Sequence, residues 1–241
     1  MTAILPLGNH LAGLAKARLS FYTFLNVHFM DLPDEDFAHT LREEEFGSVL
    51  KELGGNPELH PEIIKGVSLM RAYLGDTTSC ADAELAVRLG VDRTRLYRGV
   101  PPGYGLPPPY ESLWTEKNRD SLVLQEMARI YHEGGFTLQA DVRERLDYIG
   151  IQLSYLEQLV MKEIAAREAG DDETVRVALG REIEFMRDHV GTWVPNFVSS
   201  ALNHAKTDFY RGHLHMLKGF IEQEKNTIEA FMKEPPAKLP K

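Results

Sequence analysis

Nine histidines and 36 acidic residues in a chain of 241 make metal ligation the first chemistry to test. A helical bundle holds a di-metal centre with inward-facing Glu-x-x-His pairs, and no glutamate in this chain is followed three residues later by histidine. His213 and His215 stand two apart, a spacing that turns them to different faces of a helix. The His-Glu-x-x-His zinc motif, the Gly-x-Ser-x-Gly nucleophile turn and the Gly-x-x-x-x-Gly-Lys-Ser/Thr phosphate loop are absent. A single cysteine, Cys80, makes neither a disulfide nor a thiolate zinc cluster. No catalytic residue, metal ligand or cofactor is expected, and the chain is not expected to be an enzyme.

The chemistry that remains is recognition. In RLYRGVPPGYGLPPPYESLW, Arg95 to Trp114, five of the thirteen prolines fall between Pro101 and Pro109, among Tyr97, Tyr104, Tyr110 and Trp114. A proline-rigid loop has little freedom left to lose when it receives a ligand. Tyr104, Tyr110 and Trp114 suit one wall of a peptide groove, being amphipathic rings that pack on an apolar peptide while keeping a polar tip wet; capping of the helical core by Tyr110 and Trp114 is the equal alternative. Further on, Glu144, Tyr148, Ile151 and Tyr155 are spaced as one helical stripe, with Asp147 at its edge. The Asp147 carboxylate suits a guanidinium, either a ligand's or that of Arg95, Arg98 or Arg143 in a structural pair.

These residues need elements to position them, and the apolar spacing is helical almost throughout. Helices are expected over 11–30 and 34–53, then from Pro61 to Gly75 behind the breaker Gly54-Gly55. Another runs from a Thr or Ser cap at 77–79 to Gly99, and one covers 119–132. A long helix begins near Ala140 and ends at Gly170; Asp171-Asp172 caps the next, which Gly191 ends, and a last segment runs from Thr192 past Ile228. The fold class is all-α, a single domain of about nine helices over 1–233. Two subdomains joined near 100–118 or 134–140 are the variant of this, and 234–241 reads as a disordered tail.

Composition bounds the partners. A net charge of −9 opposes binding to a phosphate backbone. No apolar run reaches the length of a membrane span and no secretory leader opens the chain, so a cytoplasmic protein is expected.

Three segments carry a resemblance. VDRTRLYRG with LPPPYESLW, then ERLDYIGIQLSYLEQL at 144–159, then DHVGTWVPNFVSSALNHAKTDFY at 188–210 follow one another in the order and spacing of the TorD/DmsD family of redox-enzyme maturation chaperones. The second segment resembles that family's Glu-Pro-x-Asp-His hinge, with Arg145 and Tyr148 standing in place of Pro and His. The resemblance implies an all-helical chaperone that binds the twin-arginine signal peptide or apoprotein of a molybdopterin oxidoreductase subunit and delays export until the cofactor is in place. The expected peptide site, from the loop, the stripe and the motifs together, is Tyr97, Arg98, Tyr104, Tyr110, Glu111, Ser112, Trp114, Glu144, Asp147, Tyr148, Ile151 and Tyr155. A monomer or domain-swapped homodimer is expected. A nucleotide-linked switch and a structural assembly subunit are the alternatives.

Overall fold

Apolar residues at three- and four-residue spacing fold into eleven α-helical segments and two π-helical turns among the described residues, with no strand. The computed structural model describes residues 7–99, 105–115, 120–138 and 142–233. Tyr104, Pro101 and Pro102, and the tail 234–241, lie outside them.

The order is α1 (Leu7–Met30), α2 (Glu35–Thr40), α3 (Glu44–Gly55), α4 (Pro61–Asp76) and α5 (Asp82–Arg93), then α6 (Glu111–Trp114), α7 (Asp120–Gly134), α8 (Ile149–Ala169), α9 (Asp172–Phe185), α10 (Gly191–Leu202) and α11 (Asp208–Lys233). The π-helical turns are Thr94–Arg98 after α5 and Met186–Val190 between α9 and α10. Helix α11 lies along α4 and α1 along α8, so the two ends of the chain share one core. Glycine permits the first of these packings. A Cβ on Gly66 would come within 2.4 Å of the Gly212 carbonyl oxygen, and one on Gly212 within 2.5 Å of that of Gly66.

Several element boundaries differ from the expectation; α5, for one, starts at Asp82 behind Ala81, with no side-chain cap, and not from a Thr or Ser cap at 77–79. The helix expected over 34–53 is two: Arg42 leaves the helical path to donate to Asp82 at 2.5 Å and to the Thr77 carbonyl at 2.8 Å. The helix expected from Ala140 begins only at Ile149, because the residues before it pair with the proline loop. Gly191 ends nothing; α9 continues through the π-helical turn into α10, where a Cβ at 191 would meet the Met186 carbonyl oxygen at 2.5 Å. The last segment breaks at 203–207. There the buried Asp92 accepts the Lys206 N–H at 3.0 Å and the Thr207 N–H and hydroxyl at 2.8 Å, supplying from α5 the acceptors for the backbone donors at the start of α11.

Candidate peptide-binding site

The proline loop is held by backbone before any side chain is considered. Tyr110 and Tyr148 form an antiparallel bridge, in which Glu111 N–H donates to the Asp147 carbonyl at 2.9 Å and Ile149 N–H to that of Pro109 at 3.0 Å. Prolines at 107–109 fit a segment whose own N–H groups are not needed. Gly99 makes the approach possible: its φ is +65°, and a Cβ there would lie 2.5 Å from Pro108 Cδ. Trp114 Nε1 donates to the Pro108 carbonyl at 3.0 Å, and its ring meets Phe197 edge-on at 5.5 Å. The described part of the loop, 105–115, is held by this pairing as well as by its prolines, and the partner segment is a turn and not a helix.

This arrangement changes the expected stripe. With Glu144 to Tyr148 outside a helix, Glu144, Tyr148, Ile151 and Tyr155 do not share a face. Ile151 and Tyr155 are core residues, and the Tyr155 ring packs edge-on to Phe185 at 4.9 Å. Tyr148 is buried, its hydroxyl donating to the Phe29 carbonyl at the end of α1 at 2.8 Å. Burial pushes the phenols of Tyr148, Tyr155 and Tyr97 up from their ordinary pKa. Tyr97 is wholly buried, its hydroxyl 2.7 Å from Nδ1 of His213, whose Nε2 donates to the Leu25 carbonyl at 3.0 Å. The tyrosine therefore donates to a neutral imidazole, and burial lowers the His213 pKa to about 4. Its neighbour in sequence parity, His215, instead pairs with Glu62 at 2.5 Å.

Asp147 is fully buried and its carboxylate is occupied. Arg145 donates from Nε at 3.0 Å and from a terminal nitrogen at 3.1 Å, while the Ser112 N–H donates at 3.1 Å. The same guanidinium reaches the Ser112 hydroxyl at 2.7 Å and stands 5.1 Å above the Tyr110 ring. The structural partner is thus Arg145, two residues away, rather than Arg95, Arg98 or Arg143. Arg95 turns to Asp92 and Arg98 to Glu144.

Glu111 is also buried, in a polar chain the sequence did not disclose. Gln152 Nε2 donates to its carboxylate at 2.5 Å, His189 Nδ1 lies 3.0 Å from its other oxygen, and Trp193 Nε1 donates to Gln152 Oε1 at 3.2 Å. His189 and Trp193 belong to the third matching segment and Glu111 to the first, so the motifs meet in space through hydrogen bonds. Arg93 also escaped the sequence reading; buried, it donates to the His28 carbonyl at 3.0 Å and to that of Phe29, closing the end of α1. Its only sequence signal is an arginine on an otherwise apolar face.

Four of the expected residues reach solvent. Tyr110 and Trp114 are half-buried, Arg98 is 48% exposed, and Glu144, 18% exposed, accepts from the Tyr110 hydroxyl at 3.1 Å and from Arg98. The others, Tyr97, Glu111, Ser112, Asp147, Tyr148, Ile151 and Tyr155, are buried.

Comparison with known proteins is consistent with this architecture. The family model described as nitrate reductase delta subunit matches residues 56–199. The chain belongs to this family. The chain is 24% identical over 223 residues to the chaperone protein TorD of Vibrio cholerae, covering 92% of this chain and 96% of that one. It is 24% identical over 194 residues to TorD of Photobacterium profundum, covering 80% and 84%. The selenate reductase assembly chaperone protein of Thauera selenatis matches at 34% over 91 residues, 36% of this chain and 46% of that one. No solved structure matches. The resemblance to the TorD family seen in the three motifs is therefore shown, and the motif residues of the first and third segments are those joined around Glu111.

Proposed function

We propose that this chain binds the twin-arginine signal peptide of a molybdopterin oxidoreductase subunit on the surface formed by the 105–115 loop and residues 144–148, and that it does so in the cytoplasm before export. It is a molybdoenzyme maturation chaperone of the TorD type and not an enzyme. Among the described residues no helix is long and apolar enough to cross a membrane.

The observation that carries the peptide reading is the pairing of two half-exposed rings, Tyr110 and Trp114, with the Glu144 carboxylate on a loop locked by backbone hydrogen bonds. A preorganised aromatic surface lowers the entropic cost of ordering a peptide. Burying a Leu- or Phe-sized side chain against it contributes about 1.5–3 kcal/mol, whereas an exposed ion pair contributes about 0–1 kcal/mol. Apolar contacts carry affinity, and Glu144, released from Arg98, selects a guanidinium. No observation favours the nucleotide-linked switch or the structural subunit.

Calorimetry with a synthetic peptide, an arginine pair followed by a leucine–alanine segment, tests the proposal. Tyr110→Ala and Trp114→Ala should each weaken binding by about tenfold, and replacing the arginine pair by lysine should weaken it less. Unchanged affinity in both ring variants overturns the reading.

A further inference from the structure

At the other end of α1 the molecule carries a groove that the loop surface does not touch. Phe21 and Phe24 of α1 face Phe46, Val49 and Leu53 of α3, and Leu59 closes one side; the space between them is about 520 Å³. Its walls are built of rings: Phe21 stacks on Phe220 of α11 at 4.7 Å and 11°, and Phe24 lies 6.1 Å from Phe46. Three partly exposed phenylalanines and a Val49 that is 47% exposed form one continuous apolar lining. Isolated exposed apolar residues are ordinary, but a contiguous concave set is a mark of an interaction site.

The ionisable groups that line the groove are acidic but for one. Its one lining cation, Arg18, is buried and already faces Glu163, Glu182 and Glu224 at 2.5 Å each. The remaining ionisable groups of the lining are Glu52 and Glu58, which form no ion pair among the described residues and stand exposed at the rim. Lys16, next to the groove on α1, is tied to Glu168 at 2.9 Å. An apolar floor with an unbalanced acidic rim is complementary to an apolar face with a basic margin. From Phe46 to Leu53 the wall runs along about 10 Å of helix, which matches two turns of an occupant.

We propose that this groove is a second client surface, one that takes a short amphipathic helix with an apolar face and lysine or arginine at its margin. The inference rests on reading the chain as a client-binding chaperone, and it assigns the groove to a client segment distinct from the one seated on the 105–115 loop. Helix-in-groove recognition of this kind needs only three or four apolar anchors, and the phenylalanines supply their sockets.

The test uses the full chain and a leucine–lysine peptide of about fourteen residues patterned as an amphipathic helix, with a photoreactive benzoylphenylalanine on its apolar face. Adducts are expected on 14–24 and 46–59. Val49→Lys, at an exposed position, should weaken binding by about tenfold, and Glu52→Lys with Glu58→Lys by about three- to tenfold, all without a change in melting temperature. Adducts confined to 105–115 or 144–148, or an affinity unmoved by Val49→Lys, overturn the proposal; so does a glutamate-for-lysine peptide that binds equally well. If sedimentation shows a dimer that Val49→Lys splits, the occupant is a second copy of this chain and the client assignment fails. The arginine-pair peptide is run beside it. Loss of that peptide alone counts against the signal-peptide reading and leaves the groove standing, whereas loss of the leucine–lysine peptide alone sinks the groove.

Discussion

Two guanidinium–carboxylate centres in this molecule use the same groups and differ in their water. Around Arg18, Glu163, Glu182 and Glu224 converge at 2.5 Å, Arg167 reaches Glu163 at 2.6 Å, and the Arg18 side chain is 4% exposed. Beside the proline loop, Arg145 holds Asp147 at 3.0 Å and Arg98 holds Glu144, yet these arginines are 39% and 48% exposed. In the first centre burial works against the Arg18 charge, and the carboxylates of Glu182, Glu224 and Glu163 more than offset it, holding its pKa well above the ordinary value. Three carboxylates facing two guanidiniums leave a surplus of negative charge, and burial with that surplus raises the Glu182 pKa to about 8. A dry centre cannot exchange partners, because every broken contact leaves a buried charge unpaired. A half-wet one can, since water takes over whatever a partner releases. The same pairing is thus a lock on the α1–α8–α9–α11 packing at one end, while at the other only Arg98 with Glu144 is exchangeable, Asp147 being buried on Arg145.

The sharpest way to break this contrast is Arg18→Leu, which removes the donor that Glu163, Glu182 and Glu224 share, leaves Arg167 on Glu163 alone, and should cost about 3–5 kcal/mol in denaturant unfolding. A loss below about 1 kcal/mol would mean that the centre is wetter than its geometry states. Asp147→Asn comes next. Its partners Arg145 and the Ser112 N–H make the carboxylate structural, so about 1–3 kcal/mol of stability should be lost, with the melting temperature falling. The affinity of the protein that remains folded should change little, because Asp147 offers a peptide no free acceptor. An affinity loss at unchanged stability would return Asp147 to the recognition surface.

Titration sharpens the comparison without a substitution. The folded chain keeps a proton on Glu182 up to about pH 8, while the unfolded chain releases it near the ordinary carboxylate pKa. Stability from this source is lost as pH rises through that window. His28 and His213 act oppositely: burial, and for His28 also the neighbouring His213 and Arg93, lowers their pKa, so the unfolded chain takes up their protons first and stability is lost as pH falls below about 6.5. Unfolding midpoints between pH 4 and 9 should therefore pass through a maximum, and Glu182→Gln should flatten the alkaline limb alone. The smallest effect is expected of Glu144→Gln, at the wet centre: about 0–1 kcal/mol in stability, with weaker discrimination between arginine and lysine in the signal peptide. Equal discrimination would move guanidinium selection away from Glu144.

Much of this protein was determined by the sequence alone. Helical spacing specified an all-α chain, and Asp171 was identified as part of the cap of α9, where it accepts the Thr174 N–H at 3.0 Å. Prolines and glycines marked the rigid loop, and three short motifs disclosed the family. These are local properties, in which a residue and its neighbours within a few turns decide the outcome. Tertiary structure alone decided that 144–148 is not helical, because hydrogen bonds to Pro109 and Glu111 hold its end against the proline loop. It alone paired Asp147 with Arg145 and Asp92 with the start of α11, and it alone buried Glu111 against Gln152 and His189. Each of those carboxylates looks, in one dimension, like any exposed acid. What separates them is the desolvation that folding imposes: a carboxylate taken out of water must find donors, and those donors come from wherever the packed helices bring them.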